Sequence, residues 1–251
     1  NIIKIKNYGS SLDENIPLNV FIVNSEIYTI NIKGEILKFN ASTGNLIDKL
    51  KIDLPFKNTI PISISLINND FVIGFKSGEI IRCTKNGKIL WMYKKTNFLN
   101  TPIKYQDSNL IILYPEDFVI LSFENGKVIY EENFNSNNII QSVGGKLINY
   151  FNIIFFILPN SEFNAVDTLL FEKHYSNLQN IETKTSLNNL DDYIHVNQNT
   201  FSYLDNGTTL YTYDLIEDKF LLSEFEIIKG SSSYFFNNIL INRYKNSINV
   251  Y

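Results

Sequence analysis

Phe71-Val72-Ile73-Gly74-Phe75-Lys76-Ser77-Gly78-Glu79-Ile80-Ile81-Arg82-Cys83, followed by Thr84-Lys85-Asn86-Gly87-Lys88-Ile89-Leu90-Trp91, decides the fold of this chain. An apolar run meets a Ser-Gly turn, an alternating run meets an Asn-Gly turn, and a third run begins at Ile89. Residues that accept positive φ, set between β-branched runs, mark places where antiparallel strands reverse.

The layout recurs on both sides. Upstream lies Ile27-Tyr28-Thr29-Ile30-Asn31-Ile32-Lys33-Gly34-Glu35-Ile36-Leu37-Lys38-Phe39, then Asn40-Ala41-Ser42-Thr43-Gly44-Asn45-Leu46-Ile47. Downstream lie Leu110 to Leu113, Asp117 to Phe123, and Glu124-Asn125-Gly126-Lys127-Val128-Ile129-Tyr130. The second turn glycine moves from Gly44 to Gly87 in 43 residues and from Gly87 to Gly126 in 39. A period of about 40 to 45 residues carrying four short strands is the signature of a β-propeller blade.

The second half keeps the layout with altered turns. Thr200 to Asp214 reads as strand, turn (with Gly207), strand, and Glu217-Asp218-Lys219 stands where the second glycine turn falls. Leu147 to Phe171 must hold a degraded unit, with Asn152 to Leu158 its clearest strand. Asn237 to Tyr244 and Asn246 to Tyr251 form a last unit cut off after its third strand. The expected fold is all-β: one propeller domain over residues 1–251, with about six four-stranded antiparallel blades. The N-terminal strand, Ile2 to Lys6, is expected to complete the last blade and hide two sheet edges. The competing account is that the chain is a piece of a larger propeller.

Composition supports β structure and narrows function. Alanine occurs only at Ala41 and Ala165, while Ile, Asn, Phe and Tyr abound. Alanine favours helices; β-branched and aromatic residues favour strands. An AT-rich genome also inflates Ile, Asn and Lys. The net charge is -4, which argues against nucleic acid, because neutralising phosphates needs a basic face. Cys83 is the one cysteine, so no internal disulfide or cysteine-based zinc site forms. No apolar run approaches the ~20 residues of a membrane helix.

Simple counts oppose several propeller chemistries. Clamping a carboxylate with three arginines fails with Arg82 and Arg243 alone. His174 and His195 are the histidines, and no Gly-x-Ser-x-Gly elbow accompanies them, so both read as ordinary loop or strand-edge residues. Gly144-Gly145 reads as a bend or turn rather than a phosphate cradle. The acidic pairs Glu131-Glu132 and Asp191-Asp192 read as solvated loop, and Cys83 as a small core residue. Asn40-Ala41-Ser42 and Asn206-Gly207-Thr208 match a glycosylation sequon, a chance pattern in an Asn-rich chain.

Ala41-Ser42-Thr43-Gly44-Asn45 and Lys85-Asn86-Gly87-Lys88-Ile89-Leu90-Trp91 resemble the pyrroloquinoline-quinone-type (PQQ-like) propeller repeat, whose turn ends in a tryptophan that docks between blades. Trp91 stands four residues after Gly87 and Tyr130 four after Gly126, so the resemblance implies that both dock on neighbouring blades. The first unit departs from the pattern, with Asp48 four after Gly44. Gly34, Gly44, Gly78, Gly87, Gly126 and Gly207 are expected to serve backbone conformation, and Trp91 packing.

The quinone-dependent branch of the family uses a vicinal disulfide that a single cysteine cannot make. It also uses a calcium, for which no acidic cluster here has a distinctive spacing. The resemblance therefore implies the cofactor-free, BamB-type branch. The implied function is a non-enzymatic scaffold in the periplasm, associated with the outer membrane, without metal or cofactor. Its partners would be a subunit of the barrel-assembly machinery and unfolded barrel precursors, with a lipid anchor upstream of residue 1 left open. The alternative is a degenerate quinone-family enzyme or small-ligand binder using the central channel. A WD-type hub is disfavoured, because Met92 follows Trp91. Stretches rich in aromatic and polar residues, Asn97 to Tyr105, Phe155 to Phe163 and Ser231 to Phe236, are expected to be loops at a rim that binds partners.

Overall fold

The computed structural model describes residues 19–23, 25–31, 33–56, 60–134, 146–157, 163–173, 194–197, 200–205, 209–226, 232–236, 239–244 and 247–250. The chain parts into two compact units, 1–134 and 135–251. The expected closing strand, Ile2 to Lys6, lies outside the described residues.

In the first unit, β1 (Asn19–Val23), β2 (Glu26–Ile30), β3 (Glu35–Asn40) and β4 (Leu46–Lys51) form sheet 1. Sheet 2 holds β5 (Pro61–Ile67), β6 (Asp70–Phe75), β7 (Glu79–Thr84) and β8 (Ile89–Lys94). Sheet 3 holds β9 (Lys104–Gln106), β10 (Asn109–Leu113), β11 (Asp117–Ser122) and β12 (Val128–Asn133). Each is an antiparallel meander in chain order, so every strand pairs with its sequence neighbour.

The second unit repeats the plan. Sheet 4 is β13 (Lys146–Tyr150), β14 (Ile153–Ile157), β15 (Phe163–Asp167) and β16 (Glu172–Lys173). Sheet 5 is β17 (Ile194–Asn197), β18 (Thr200–Asp205), β19 (Thr209–Asp214) and β20 (Lys219–Glu226). Sheet 6, with β21 (Ser232–Phe236), β22 (Ile239–Tyr244) and β23 (Ser247–Val250), stops at three strands among the described residues.

The strand expected within Asn152 to Leu158 is β14, and its buried Phe155 and Phe156 begin the stretch also expected as a rim loop; of the other two such stretches, residues 232–236 form β21 and Lys104 and Tyr105 stand in β9. In β14 an apolar run bounded by turn residues packs as a buried strand rather than a rim loop. Glu131 and Glu132 likewise stand in β12 and not in loop.

Strand faces explain the apolar runs. Phe71, Ile73 and Phe75 of β6 pack with Tyr28, Ile30 and Ile36 from sheet 1 and with Ile52 just beyond it. Val72, one residue out of phase, packs with Leu110, Ile112 and Val119 from sheet 3. Side chains alternate across a strand, so a sheet flanked on both sides must be apolar on both faces. The outermost strands β4, β8 and β12 have only partial cover, and their burial alternates or lapses.

The turn between third and fourth strands has a fixed backbone demand. Gly44, Gly87 and Gly126 take φ of 71°, 82° and 68°, and in the second unit Phe171 and Asp218 take 54° and 49°. Asp218 thus fills the place of the missing glycine in Glu217-Asp218-Lys219. Sheet 2 makes this turn one residue shorter: Thr84 N donates to Lys88 O, whereas Asn40 donates to Asn45 and Ser122 to Lys127. The turns between first and second strands carry positive φ at Ser25 in sheet 1, Asn68 and Asn69 in sheet 2, Asp107 and Ser108 in sheet 3 and Phe151 in sheet 4; Asn and Asp accept it most readily. Gly207, Gly144 and Gly145 lie outside the described residues.

Candidate functional site

The described polar chemistry concentrates at the seams of the first unit. Trp91, in β8, lies half-buried, and its indole Nε1 donates to the Phe123 carbonyl of sheet 3 at 2.9 Å. A Cβ at Gly126 would meet the Trp91 ring at 2.7 Å, so glycine leaves the turn flat enough for the ring to lie on it. Trp91 therefore lies on the neighbouring sheet's turn.

Arg82 clamps the same turn. Its guanidinium pairs with Asp70 at 2.7 Å, donates to the Phe123 carbonyl at 2.9 Å and to the Glu124 carbonyl at 3.1 Å. It also sits 3.9 Å from the centroid of the Phe123 ring. One carbonyl thus accepts from both Trp91 and Arg82.

Sheet 1 solves its seam differently. A bulge in the fourth strand places Asp48 opposite Lys38, as Trp91 stands opposite Arg82 and Tyr130 opposite Ile120. Leu50, two residues beyond Asp48, provides the contact instead: a Cβ at Gly87 would lie 3.2 Å from its Cδ1 and 2.9 Å from the Lys51 carbonyl. Tyr130 donates its hydroxyl to Glu132 at 2.7 Å and meets Phe118 of its own sheet edge-on. Burial, then Glu132, holds its phenol above the ordinary tyrosine value.

The opposite ends of the third strands carry a second motif. Glu35, Glu79 and Asp117 each begin a third strand and face the last residue of the fourth. Glu35 binds Lys49 at 2.8 Å and accepts from Asn31 at 2.9 Å. Glu79, 4% exposed, binds Lys94 at 3.0 Å and accepts from the Ser77 hydroxyl. Burial pushes both carboxyls up, but these bonds outweigh it and hold them below the usual glutamate value.

Asp117, 1% exposed, collects donors from its own sheet and from the connection after β8: Asn133 Nδ2 at 2.7 Å, Lys95 Nζ at 3.0 Å and Asn97 Nδ2. Lys95 also pairs with Glu131. Burial pulls the Lys95 ammonium down, yet Glu131 and Asp117 together raise it above the ordinary lysine value. Beside it, Tyr114 donates to the Gly78 carbonyl at 3.0 Å, and burial holds its phenol well above the ordinary value. Gly78 takes φ of 95°, and a Cβ there would run into the Asn97 and Lys95 carbonyls. Gly34, with φ of 74°, passes Leu54 in the corresponding place, where a Cβ would lie 2.8 Å from Cδ1.

The remaining expectations can be placed. Cys83 is buried in the core between sheets 1 and 2, and burial, aided by Asp70, pushes its thiol up to about 12. Asn40 caps its turn by accepting from the backbone of Ser42 and Thr43, both at 2.9 Å. His174 lies outside the described residues, and His195 stands in β17 with its side chain outside them. Among the described residues, no three His, Cys, Asp or Glu side chains gather as a metal ion requires. No helix among them is long and apolar enough to cross a membrane.

Comparison with solved structures gives the fold class. The chain superposes on the computationally designed Ika8 protein with a TM-score of 0.62 at 12% identity, covering 92% of this chain and 69% of that one. It superposes on BamB from Moraxella catarrhalis with a TM-score of 0.58 at 12% identity, covering 89% of this chain and 68% of that one. With its successive four-stranded antiparallel meanders, the protein has the β-propeller fold. No family model matches the sequence, and no curated protein matches it. The PQQ-like repeat thus rests on the quoted turn residues.

Proposed function

We propose that the protein is a non-enzymatic interaction scaffold, similar in role to BamB, that assists assembly of outer-membrane β-barrel proteins from the periplasmic side. The observation that carries this reading is the structural likeness to BamB over 89% of the chain. The seams add support. Arg82, Trp91, Lys95, Glu79 and Asp117 are each engaged by a neighbouring sheet, turn or strand, a use of polar groups that suits a rigid platform. A rigid platform positions partners by its turns and edges, with no covalent step. The partners in this reading are an assembly-machinery subunit and unfolded barrel precursors.

The test is in vivo crosslinking in the native host, with purification of the full-length protein from the envelope. A barrel-assembly subunit should co-purify, and depletion of the protein should lower the folded outer-membrane barrel proteins. Normal barrel levels after depletion, with no such subunit captured, would overturn the reading.

A further inference from the structure

Two of the described turns between third and fourth strands carry the same dipeptide, Asn86-Gly87 in sheet 2 and Asn125-Gly126 in sheet 3, and their hydrogen bonds differ. The Asn125 carboxamide is engaged, because its Oδ1 accepts the Lys127 N–H at 3.0 Å. In sheet 2 the corresponding N–H, that of Lys88, goes to the Thr84 hydroxyl at 3.2 Å instead. Asn86 is exposed, and among the described residues nothing takes up its carboxamide.

The backbones of the two turns are also held unequally. Arg82 donates to the carbonyls of Phe123 and Glu124, and Trp91 adds its N–H to the first of them. The sheet 2 turn receives Leu50 at Gly87, an apolar contact, and among the described residues no side-chain donor from sheet 1. Both glycine N–H groups are bonded within their turns at 2.9 Å, Gly87 to Thr84 and Gly126 to Ser122. Each turn must therefore open before its glycine nitrogen can react, and the second has more bonds to break. Charge differs too: exposed Lys85 and Lys88 flank the first pair, Glu124 and Lys127 the second.

We propose that Asn86 is a site of spontaneous covalent modification, deamidation through a cyclic imide with Gly87, and that the fold directs the reaction there rather than to Asn125. Glycine has no Cβ to hinder attack by its own nitrogen. The Gly87 amide gives its proton to solvent base, and its nitrogen bonds to the Asn86 Cγ. The Cγ–Nδ2 bond breaks, and ammonia leaves with a proton taken from solvent. Water then opens the ring at either carbonyl, so one water is consumed and one ammonia released. Opening at Cγ leaves aspartate at position 86; opening at the main-chain carbonyl leaves isoaspartate, whose chain runs through Cγ. Lys85 and Lys88 favour the anionic nitrogen that must attack, whereas Glu124 opposes it at the other turn. Isoaspartate also lengthens the backbone by one carbon beside Gly87, where a Cβ would already lie 2.9 Å from the Lys51 carbonyl. The turn is thereby loosened from Leu50 of sheet 1. This chemistry is independent of the scaffold reading.

The test is incubation of the full-length protein at mildly alkaline pH, folded and in urea, followed by peptide mapping with mass spectrometry. Isoaspartyl methyltransferase marks isoaspartate on each peptide, so that Asn206-Gly207, outside the described residues, is counted apart. In the folded protein the Asn86 peptide should deamidate about fivefold faster than the Asn125 peptide, the factor that one neutral hydrogen bond supplies. In urea the gap should narrow, because the turn bonds are lost while the sequence neighbours remain. Asn86→Gln should remove the isoaspartate signal at that position and leave the Asn125 rate unchanged. Equal rates in the folded protein, faster reaction at Asn125, or no isoaspartate at position 86 would overturn the proposal. A gap that persists undiminished in urea would assign the preference to sequence rather than fold, and would overturn it as well.

Discussion

Trp91 and Gly126 form one contact from two sheets: the ring of the first lies where a side chain of the second would otherwise stand. Two demands meet at Gly126, a φ of 68° and the closeness of the indole. Gly126→Ala should therefore lower stability by about 1–3 kcal/mol, through strain at positive φ and a displaced ring. Urea unfolding measures this, and a variant as stable as the parent would show that the turn does not receive Trp91.

Arg82 and Trp91 share the Phe123 carbonyl, so their contributions should not add. Trp91→Phe keeps a ring on Gly126 and loses the N–H, at a cost of about 1 kcal/mol. Arg82→Met strands the Asp70 carboxylate, whose side chain is 16% exposed, and should cost about 2–4 kcal/mol. Adding Asp70→Leu should return much of that loss. A double-variant cycle on equilibrium unfolding reads the coupling, and strict additivity would contradict the shared acceptor.

Glu79 predicts the acid side of the stability profile. Its carboxyl in the folded protein is held below the value of the unfolded chain. Its contribution is then present above the unfolded value and fades as pH falls through the folded one. Glu79→Gln should be less stable than the parent at neutral pH by about 1 kcal/mol, and the gap should close as pH falls below the ordinary glutamate range. A gap independent of pH would assign the loss to packing rather than charge.

Cys83 should be inert in the folded state. Its thiol is buried and pushed up to about 12, which starves it of the reactive thiolate. Alkylation by iodoacetamide at pH ~8 should follow global unfolding across a urea series. Modification in native buffer at the rate of a free thiol would place Cys83 outside the core.

The turns were the legible part of the sequence. Gly44, Gly87 and Gly126 announce themselves because few other residues take a left-handed backbone, and Trp91 follows its glycine at fixed spacing. Leu50 escaped because the pattern points four residues past Gly44, to Asp48, while the contact comes from two residues further along. The Arg82 clamp and the Asp117–Lys95 pair escaped for another reason. Their partners stand up to 42 residues away on another sheet, and no local spacing encodes them. Phe155 and Ser233 stand in strands, and their stretches look like rim loop because aromatic and polar composition alone does not separate a strand from a binding loop.

Because the chain has one tryptophan, and that residue sits at a single seam, its emission is a local optical gauge. Spectral changes on heating or denaturation will report the parting of sheets 2 and 3, whatever the more distant strands are doing. Compared with far-ultraviolet circular dichroism, which averages over every strand, the two signals will reveal whether the blades separate one after another or all at once.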